Sequence, residues 1–390
     1  MPVDKLDRYR GCLLGGAAGD ALGYPVEFLS LDGIREQYGP AGITEYKLQR
    51  GVAQISDDTQ MTLFTANGLL YNATRRRLFA PGGGPETYVM AGFYQEWLRT
   101  QQEPYRRSAG WHFAWLMNVP DLYRRRAPGC TCMEAIAREA QGTPEDPINE
   151  SKGCGGIMRV APAGLWLDCP EKACQLATEL AAMTHGHELG YLPAGVLGYC
   201  VSALAHGKAD CVLDAVRRAL KWTARQFPGA RHFQELTDLV EKAVRLSGED
   251  REDTDVIREL GEGWVAEETL AIAVYCALKY ENDFDRALIA AVNHDGDSDS
   301  TGAVTGNLLG ARLGLAGIPP KYLERLELKS VILELADDLC QGIPADYGKQ
   351  YPPPIHLVGA PEPELMPETP EMALWDAKYG TVTYVPKNTD

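Results

Sequence analysis

No stretch of about 18 uncharged apolar residues occurs in the chain, so nothing in it reads as a membrane span. The first residues, MPVDKLDRYRGCLLGG, are charged and lack the apolar core and small-residue cleavage site of a secretory signal. The ten cysteines show neither metal-ligand nor secreted-scaffold spacing, and the close pair Cys130 and Cys132 lacks the two-residue gap of a redox or zinc motif. These absences predict a soluble protein of a reducing cytoplasm, with thiols mostly buried as small hydrophobes. Positive charge is also short: 38 Lys and Arg stand against 54 Asp and Glu, a net charge of −16, which disfavours nucleic acid or an anionic membrane as primary partner. The basic residues that are bunched, at 75–77, Arg106–Arg107 and 124–126, read as solvated faces, with docking of an acidic partner as the sharper alternative. No GxxxxGK(S/T) loop and no strand-borne GxGxxG is present, which removes support for nucleotide triphosphatase and dinucleotide oxidoreductase readings.

What the chain does have is helical periodicity. Segments such as ETYVMAGFYQEWLRT, EKACQLATELAAMTH, DCVLDAVRRALKWTARQF, FQELTDLVEKAVRL and EETLAIAVYCALKY carry apolar residues at three- and four-residue spacing. Strand-like alternation appears only at 380–386, GTVTYVP. The expected fold is therefore all-α, a compact multi-helix bundle over residues 1–345. Residues 346–390 are too Pro-rich for regular helix and are expected as an extended tail packed on that domain. An Arg- and Pro-rich segment near 100–130 reads as an insertion between core helices.

Glycine recurs every four residues at Gly11, Gly15, Gly19 and Gly23, and again at Gly302, Gly306, Gly310 and Gly314. Gly costs about 1 kcal/mol in a helix interior relative to Ala, so two such stripes need a reason. Two closely packed central helices supply one; a Gly-rich loop over 11–23 is the alternative.

Beside the second stripe lies NHDGDSDSTGAVTGNLLG, with Asp295, Asp297 and Asp299 at alternate positions. An EF-hand loop would need Gly at its sixth position and Glu at its twelfth, and Ser300 and Gly306 stand there instead. Acids and hydroxyls before a helix also cap its free N–H groups, which accounts for one such cluster. A second, Ser56, Asp57, Asp58 and Thr59, precedes another apolar helical pattern through Met61, Phe64 and Leu69. If the two meet, their carboxylates repel unless cations lie between them. Oxygen donors without His or Cys select hard divalent ions, Mg²⁺ or Mn²⁺ before Zn²⁺.

Three further features carry chemistry. The Gly-rich stretch NESKGCGGIMRVAPAGL has backbone N–H groups that can cradle a phosphate. His185 and His187, in MTHGHELG, form an H-x-H pair with no third zinc ligand nearby, so a polar ligand contact or a helix cap is favoured. Glu27 follows the first helix closely enough to reach an acidic site.

In this order the segments GCLLGGAAGDALGYPVEF, SDDTQMTLF, SKGCGGIMRVAPAGL, THGHELGYLPAGVLGY and GDSDSTGAVTGNLLGARLG resemble the ADP-ribosylglycohydrolase family, over roughly residues 8–340. The resemblance implies an all-α enzyme with two Mg²⁺ or Mn²⁺ ions, and it carries the metal ligands onto Ser56, Asp57, Asp58, Asp297, Asp299 and Ser300. Asp295 falls outside that set and is expected to support it. The family's ADP-ribose cleft is implied for Ser151, Gly153, Cys154, Gly155, Gly156, Met158 and His185, with Cys154 where members often have Asn. Glu27, Asp58 and Asp297 are the implied catalytic residues: the metals orient the ribose hydroxyls while a carboxylate helps deprotonate the water that attacks C1″. The implied substrate is ADP-ribosylated protein, with arginine as the expected acceptor. Three alternatives stay open: an ADP-ribose-binding pseudoenzyme, an inhibitor bound to a cognate ADP-ribosyltransferase, and a two-metal phosphate-ester hydrolase.

Overall fold

In the computed structural model the described residues are 3–79, 86–105, 110–351 and 365–385, and sixteen α-helices run through them. The first four are α1 (Lys5–Gly23), α2 (Leu31–Tyr38), α3 (Asp57–Phe79) and α4 (Glu86–Gln102). A short strand β1 (Gly110–His112) precedes α5 (Cys130–Ala137), α6 (Ala161–Trp166), α7 (Pro170–Ala182) and α8 (Glu188–Ala205). Then come α9 (Val212–Gln226), α10 (Phe233–Leu246), α11 (Asp253–Leu260), α12 (Ala266–Lys279) and α13 (Phe284–Val292). The chain ends with α14 (Ser298–Leu313), α15 (Lys329–Gln341), α16 (Pro370–Trp375) and strand β2 (Thr383–Val385). Outer helices such as α9 and α10 bury only one stripe, Val212, Ala215, Val216, Ala219 and Leu220 in α9, as their three- and four-residue spacing requires. Helix α8 is apolar and long enough to span a membrane by those measures alone, yet it is enclosed by α6, α7, α9, α12 and α14.

The glycine stripes are the seam of the molecule. Helices α1 and α14 run antiparallel with Gly11 facing Gly310, Gly15 facing Gly306 and Gly19 facing Gly302. A Cβ on Gly19 would fall 1.9 Å from Gly302 O, and one on Gly310 would fall 1.9 Å from Gly11 O. Each Cα–H therefore lies directly against the opposite helix's carbonyl, a contact that any side chain would prevent. Gly314 departs from the stripe: its φ of +74° ends α14, with its N–H returned to Gly310 O.

Two expectations are corrected outside the core. The tail does contain a regular helix, α16: Thr369 Oγ1 accepts from Met372 N at 3.2 Å and Pro370 sits at the first helical position. Proline there starts a helix rather than breaking one, because the missing N–H would have had no helical partner. Trp375 donates Nε1 to Thr74 Oγ1 at 2.9 Å and Tyr379 donates to Asp338 Oδ2 at 2.6 Å, so the tail closes on α3 and α15. β2 pairs antiparallel with β1 of the Arg-rich segment, with Trp111 opposite Tyr384. The arginine runs are not simply solvated. Arg77 Nε donates to Tyr347 O at 2.9 Å, and Arg126 pairs with Glu327 at 2.9 Å with both side chains largely buried. Arg106, Arg107 and the Pro-rich stretch 352–364 lie outside the described residues. Of the ten cysteines five are buried, and Cys130 is exposed.

Candidate active site

The seam carries the two acidic segments to one place. Because α1 and α14 are antiparallel, the end of α1 meets the start of α14, and a Cβ on Gly23 would fall 2.2 Å from Ser298 O. The first turn of α3 is tied to the same spot by Asp20, a buried residue near the end of α1. Its Oδ1 accepts from Ser56 N at 2.8 Å and its Oδ2 from Thr59 N at 3.1 Å and from Thr59 Oγ1. Ser56 then caps α3, its Oγ accepting from Asp58 N at 3.2 Å, while Asp297 Oδ1 caps α14 by accepting from Ser300 N at 3.2 Å.

Across the junction Ser300 Oγ donates to Asp58 Oδ2 at 2.9 Å. Carboxylate oxygens of Glu27, Asp297 and Asp299 lie within 4.8 Å of one another, all three buried. Asp57 stands at the edge, its Oδ2 accepting from Gly129 N at 3.3 Å. The closest trio thus includes Glu27, which the resemblance had placed beside the metal set rather than in it.

Such crowding raises the cost of every charge. Burial first, then Asp299, Asp297, Asp57 and Asp20, push Glu27 up to about 10. Asp58 is held well above the usual carboxylate range by burial, Asp299, Asp57, Asp20 and Asp297, and Asp57 and Asp297 by burial and then Asp299. Asp20 is pushed up to about 7 by burial and Asp299, against the pull of its hydrogen bonds to Thr59 and Ser56. Glu27 Oε2 is buried with no hydrogen-bond partner. Three convergent buried carboxylates, one with an orphaned oxygen, and serine hydroxyls on both acidic segments fit a divalent cation and its preference for oxygen donors.

The Gly-rich turn borders the cluster. Cys154 Sγ donates to Asp297 Oδ2 at 2.7 Å, which joins the turn directly to the acids. Of the turn's amides, Ser151 N donates to Asn149 Oδ1, Gly153 N to Ser151 Oγ and Cys154 N to Trp264 O. The amides of Ser151, Gly153 and Cys154 are thus committed within the protein, which corrects the expectation of an open N–H cradle at these positions. A Cβ on Gly155 would lie 2.6 Å from Cys132 Sγ and 3.0 Å from His185 Cε1, so His185 forms the wall behind the turn. Met158 is 3% exposed, and its carbonyl accepts from Thr62 Oγ1 at 3.2 Å, one helical turn from Asp58. His187 caps α8, its Nδ1 accepting from Leu189 N at 3.0 Å. Asp295 Oδ1 accepts from Leu31 N at 2.8 Å and so ties the segment that bears Glu27 to the start of α14.

Sequence reading missed Asp20, although a signal exists: it is the one charged residue in LLGGAAGDALG, a run otherwise destined for a buried seam. It also missed Trp264, whose carbonyl fixes Cys154 and whose ring stacks on exposed Phe28 at 5.9 Å beside Glu27.

A sequence profile described as ADP-ribosylglycohydrolase matches residues 1–348. The chain belongs to the ADP-ribosylglycohydrolase family. It is a glycosidic-bond hydrolase of that family. A glycohydrolase from Rhodospirillum rubrum, named for ADP-ribosyl-dinitrogen reductase, is 29% identical over 83% of this chain and 91% of its own. The ADP-ribosylarginine hydrolase Tri1 of Pseudomonas putida is 25% identical over 88% and 80%, and the ADP-ribosylhydrolase ARH3 of Mus musculus is 26% identical over 83% and 88%. A solved ADP-ribosylglycohydrolase-related protein complex superposes with a TM-score of 0.57 at 26% identity, covering 86% of this chain and 98% of that one. The family places these acids in a glycohydrolase, and the all-α architecture agrees with that of its solved relative.

Proposed function

We propose that this ADP-ribosylglycohydrolase cleaves the N-glycosidic bond at ribose C1″ of ADP-ribosylarginine in a protein and releases ADP-ribose. The observation that carries the metal-dependent part of this reading is the buried carboxylate cluster with its orphaned Glu27 Oε2. The arginine acceptor is supported by the activity for which the Pseudomonas putida relative is named. Ser56, Asp57, Asp58, Asp297, Asp299 and Ser300 would hold two Mg²⁺ or Mn²⁺ ions, with Glu27 facing them. Bound there, the ions neutralise the carboxylates and supply Lewis acidity toward the ribose hydroxyls and the attacking water.

The chain's own residues set up the rest. Asp20 fixes the first turn of α3, and the Cys154 thiol fixes the rotamer of Asp297 through its bond to Oδ2. Asp295 holds the Glu27 segment in place, so that Glu27, ionised once cations offset its carboxylate neighbours, would take the proton that the attacking water gives up as it adds to C1″ and the C1″–N bond opens. The turn from Ser151 to Gly156, joined to the acids through Cys154, is the part of the chain proposed to meet the diphosphate.

The test is release of ADP-ribose from arginine-linked and serine-linked ADP-ribosyl peptides with Mn²⁺, Mg²⁺ or EDTA. Cation-dependent release from the arginine-linked peptide is expected. Release from the serine-linked peptide alone would overturn the acceptor, and equal release in EDTA would overturn the role given to the cluster.

A further inference from the structure

His185 is 1% exposed, yet one of its ring nitrogens has no partner within the described protein. Nδ1 lies 2.8 Å from Thr184 Oγ1. Nε2 faces the Gly-rich turn, 3.4 Å and 3.3 Å from the positions a Cβ would occupy on Gly153 and Gly155. A ring nitrogen left without a protein partner and set against two glycines of a candidate ligand cleft points to a ligand atom as its partner. Whether Nε2 can donate to an oxygen or only accept depends on which nitrogen carries the proton.

The neighbours of Thr184 decide that. Arg159 is fully buried, and its partners include no carboxylate: Nη2 donates to Leu180 O at 3.0 Å and Thr184 Oγ1 at 2.6 Å, Nη1 approaches Cys132 Sγ at 3.5 Å, and the guanidinium lies 4.5 Å from the centre of the Tyr94 ring. A guanidinium only donates, so Thr184 Oγ1 must accept from it and has one hydrogen left to give. Two acceptors are near: His185 Nδ1 at 2.8 Å and Ala181 O at 3.4 Å. Ala181 O already accepts from Thr184 N at 3.1 Å and from His185 N at 3.0 Å, which fills its two lone pairs. The hydroxyl hydrogen therefore goes to Nδ1, and the ring proton must sit on Nε2.

We infer that Arg159 and Thr184 act as positioning residues that lock His185 as its neutral Nε2–H tautomer, presenting a fixed donor to an anionic oxygen of the ligand held at the Gly153–Gly156 turn. Identifying that ligand as ADP-ribose rests on the function proposed above; the tautomer does not. Burial and then the Arg159 charge hold His185 down to about 3, so the ring stays neutral and contributes a directed hydrogen bond instead of a charge. Were the ring protonated or flipped to the Nδ1–H form, Thr184 Oγ1 would face two donors and could give its own hydrogen only to Ala181 O at 3.4 Å, a carbonyl that already accepts twice.

The experiment uses the full chain labelled with ¹⁵N-histidine, in long-range ¹H–¹⁵N spectra that report protonation at each ring nitrogen, with His185→Gln identifying the signal among seven histidines. The expected wild-type result is protonated Nε2 and bare Nδ1 from pH 5.5 to 8. Thr184→Val, which keeps shape but removes the hydroxyl, should release the tautomer and weaken ADP-ribose binding about tenfold while leaving Mn²⁺ affinity unchanged. Thr184→Ser should restore both, which a merely structural role for the methyl would not predict. An Nδ1–H or doubly protonated wild-type ring would overturn the relay, as would a Thr184→Val protein with unchanged tautomer and unchanged ADP-ribose affinity. If Thr184→Val does not fold, the wild-type spectrum still decides. Wild-type protein that shows the Nε2–H tautomer but binds no ADP-ribose would support the relay and overturn the ADP-ribose reading of the cleft.

Discussion

Gly306→Ala tests the seam that holds the acidic cluster together. The added carbon would lie 1.9 Å from Gly15 O, whereas a carbon–oxygen contact of this kind settles at about 3.3–3.6 Å, so the helices must part by roughly 1.5 Å. Gly15 C at 2.4 Å and Gly16 N at 3.0 Å close the remaining directions. All three are backbone atoms of a helix, so no rotamer change relieves the clash. Overpacking of a core costs about 1–3 kcal/mol and sometimes more, and a gap of this width along a seam forfeits about half of the dispersion energy of the atoms lining it. Better helix propensity returns only about 1 kcal/mol. The expected net loss is about 3 kcal/mol or more, a large share of the roughly 5–15 kcal/mol that separates folded from unfolded.

The control is the same substitution at Gly92, inside α4, where a Cβ would meet nothing within 4 Å. There the change should raise stability by about 0.5–1 kcal/mol. Urea unfolding followed by far-UV circular dichroism reads both variants as shifts in midpoint at constant slope. Gly306→Ala should also weaken Mn²⁺ binding, because parting the helices moves Asp297 and Asp299 away from Asp20 and Glu27. A Gly306→Ala protein within about 1 kcal/mol of wild type, or two variants that shift in the same direction, would refute the reasoning.

Mn²⁺ at a hundredfold its dissociation constant should stabilise the wild type by about 2.7 kcal/mol in thermal unfolding, and Asp297→Asn, which keeps the cap on Ser300 N, should abolish that gain together with turnover. Gly155→Val should raise the ADP-ribose dissociation constant at least about tenfold by displacing His185, with Mn²⁺ affinity unchanged in parallel titrations. Glu96 is buried, accepts from Phe113 N at 2.6 Å and Ala114 N at 2.8 Å, and is pushed up to about 7 by burial despite those bonds. A raised acid binds more protons folded than unfolded, so its contribution is complete below the unfolded carboxylate range and is lost as pH rises to about 7. The stability of wild type relative to Glu96→Gln should therefore fall between pH 4.5 and 7, as pH-dependent urea midpoints will show.

Local pattern carried most of the fold into view and distant pairing did not. Helices such as α10, whose bounds match the apolar spacing of FQELTDLVEKAVRL, are written in neighbouring residues. The tail helix α16 was hidden because the proline content of its surroundings outweighed Thr369–Pro370, itself a helix-start signal. The alternation at 380–386 marked β2, but its pairing with β1 could not be read, since three residues of β1 are too short to show alternation and the partners lie far apart in the chain. The acidic segments were legible as clusters because their chemistry is improbable without cations. Arg159 was not, because GIMRVAPAG gives no local sign that its arginine is fully buried and paired with carbonyl, hydroxyl, sulfur and ring instead of a carboxylate.

The seam also explains why so costly a cluster holds together. At the junction the starts of α3 and α14, each the positive end of a helix dipole, point at the carboxylates, but the end of α1 brings a negative one. A helix N-terminus is worth about 0.3–1 kcal/mol to a nearby anion, and Asp57, Asp58 and Asp297 remain well above the ordinary carboxylate range despite two of them. The residue of repulsion must be met by protons or by cations, and it pushes α1 and α14 apart until it is. A seam padded with alanine methyls would leave play for that movement; glycine against carbonyl along four turns leaves little. The rigid backbone contact thus keeps oxygen donors converged, so that a divalent cation would enter a site whose ordering has already been supplied by folding.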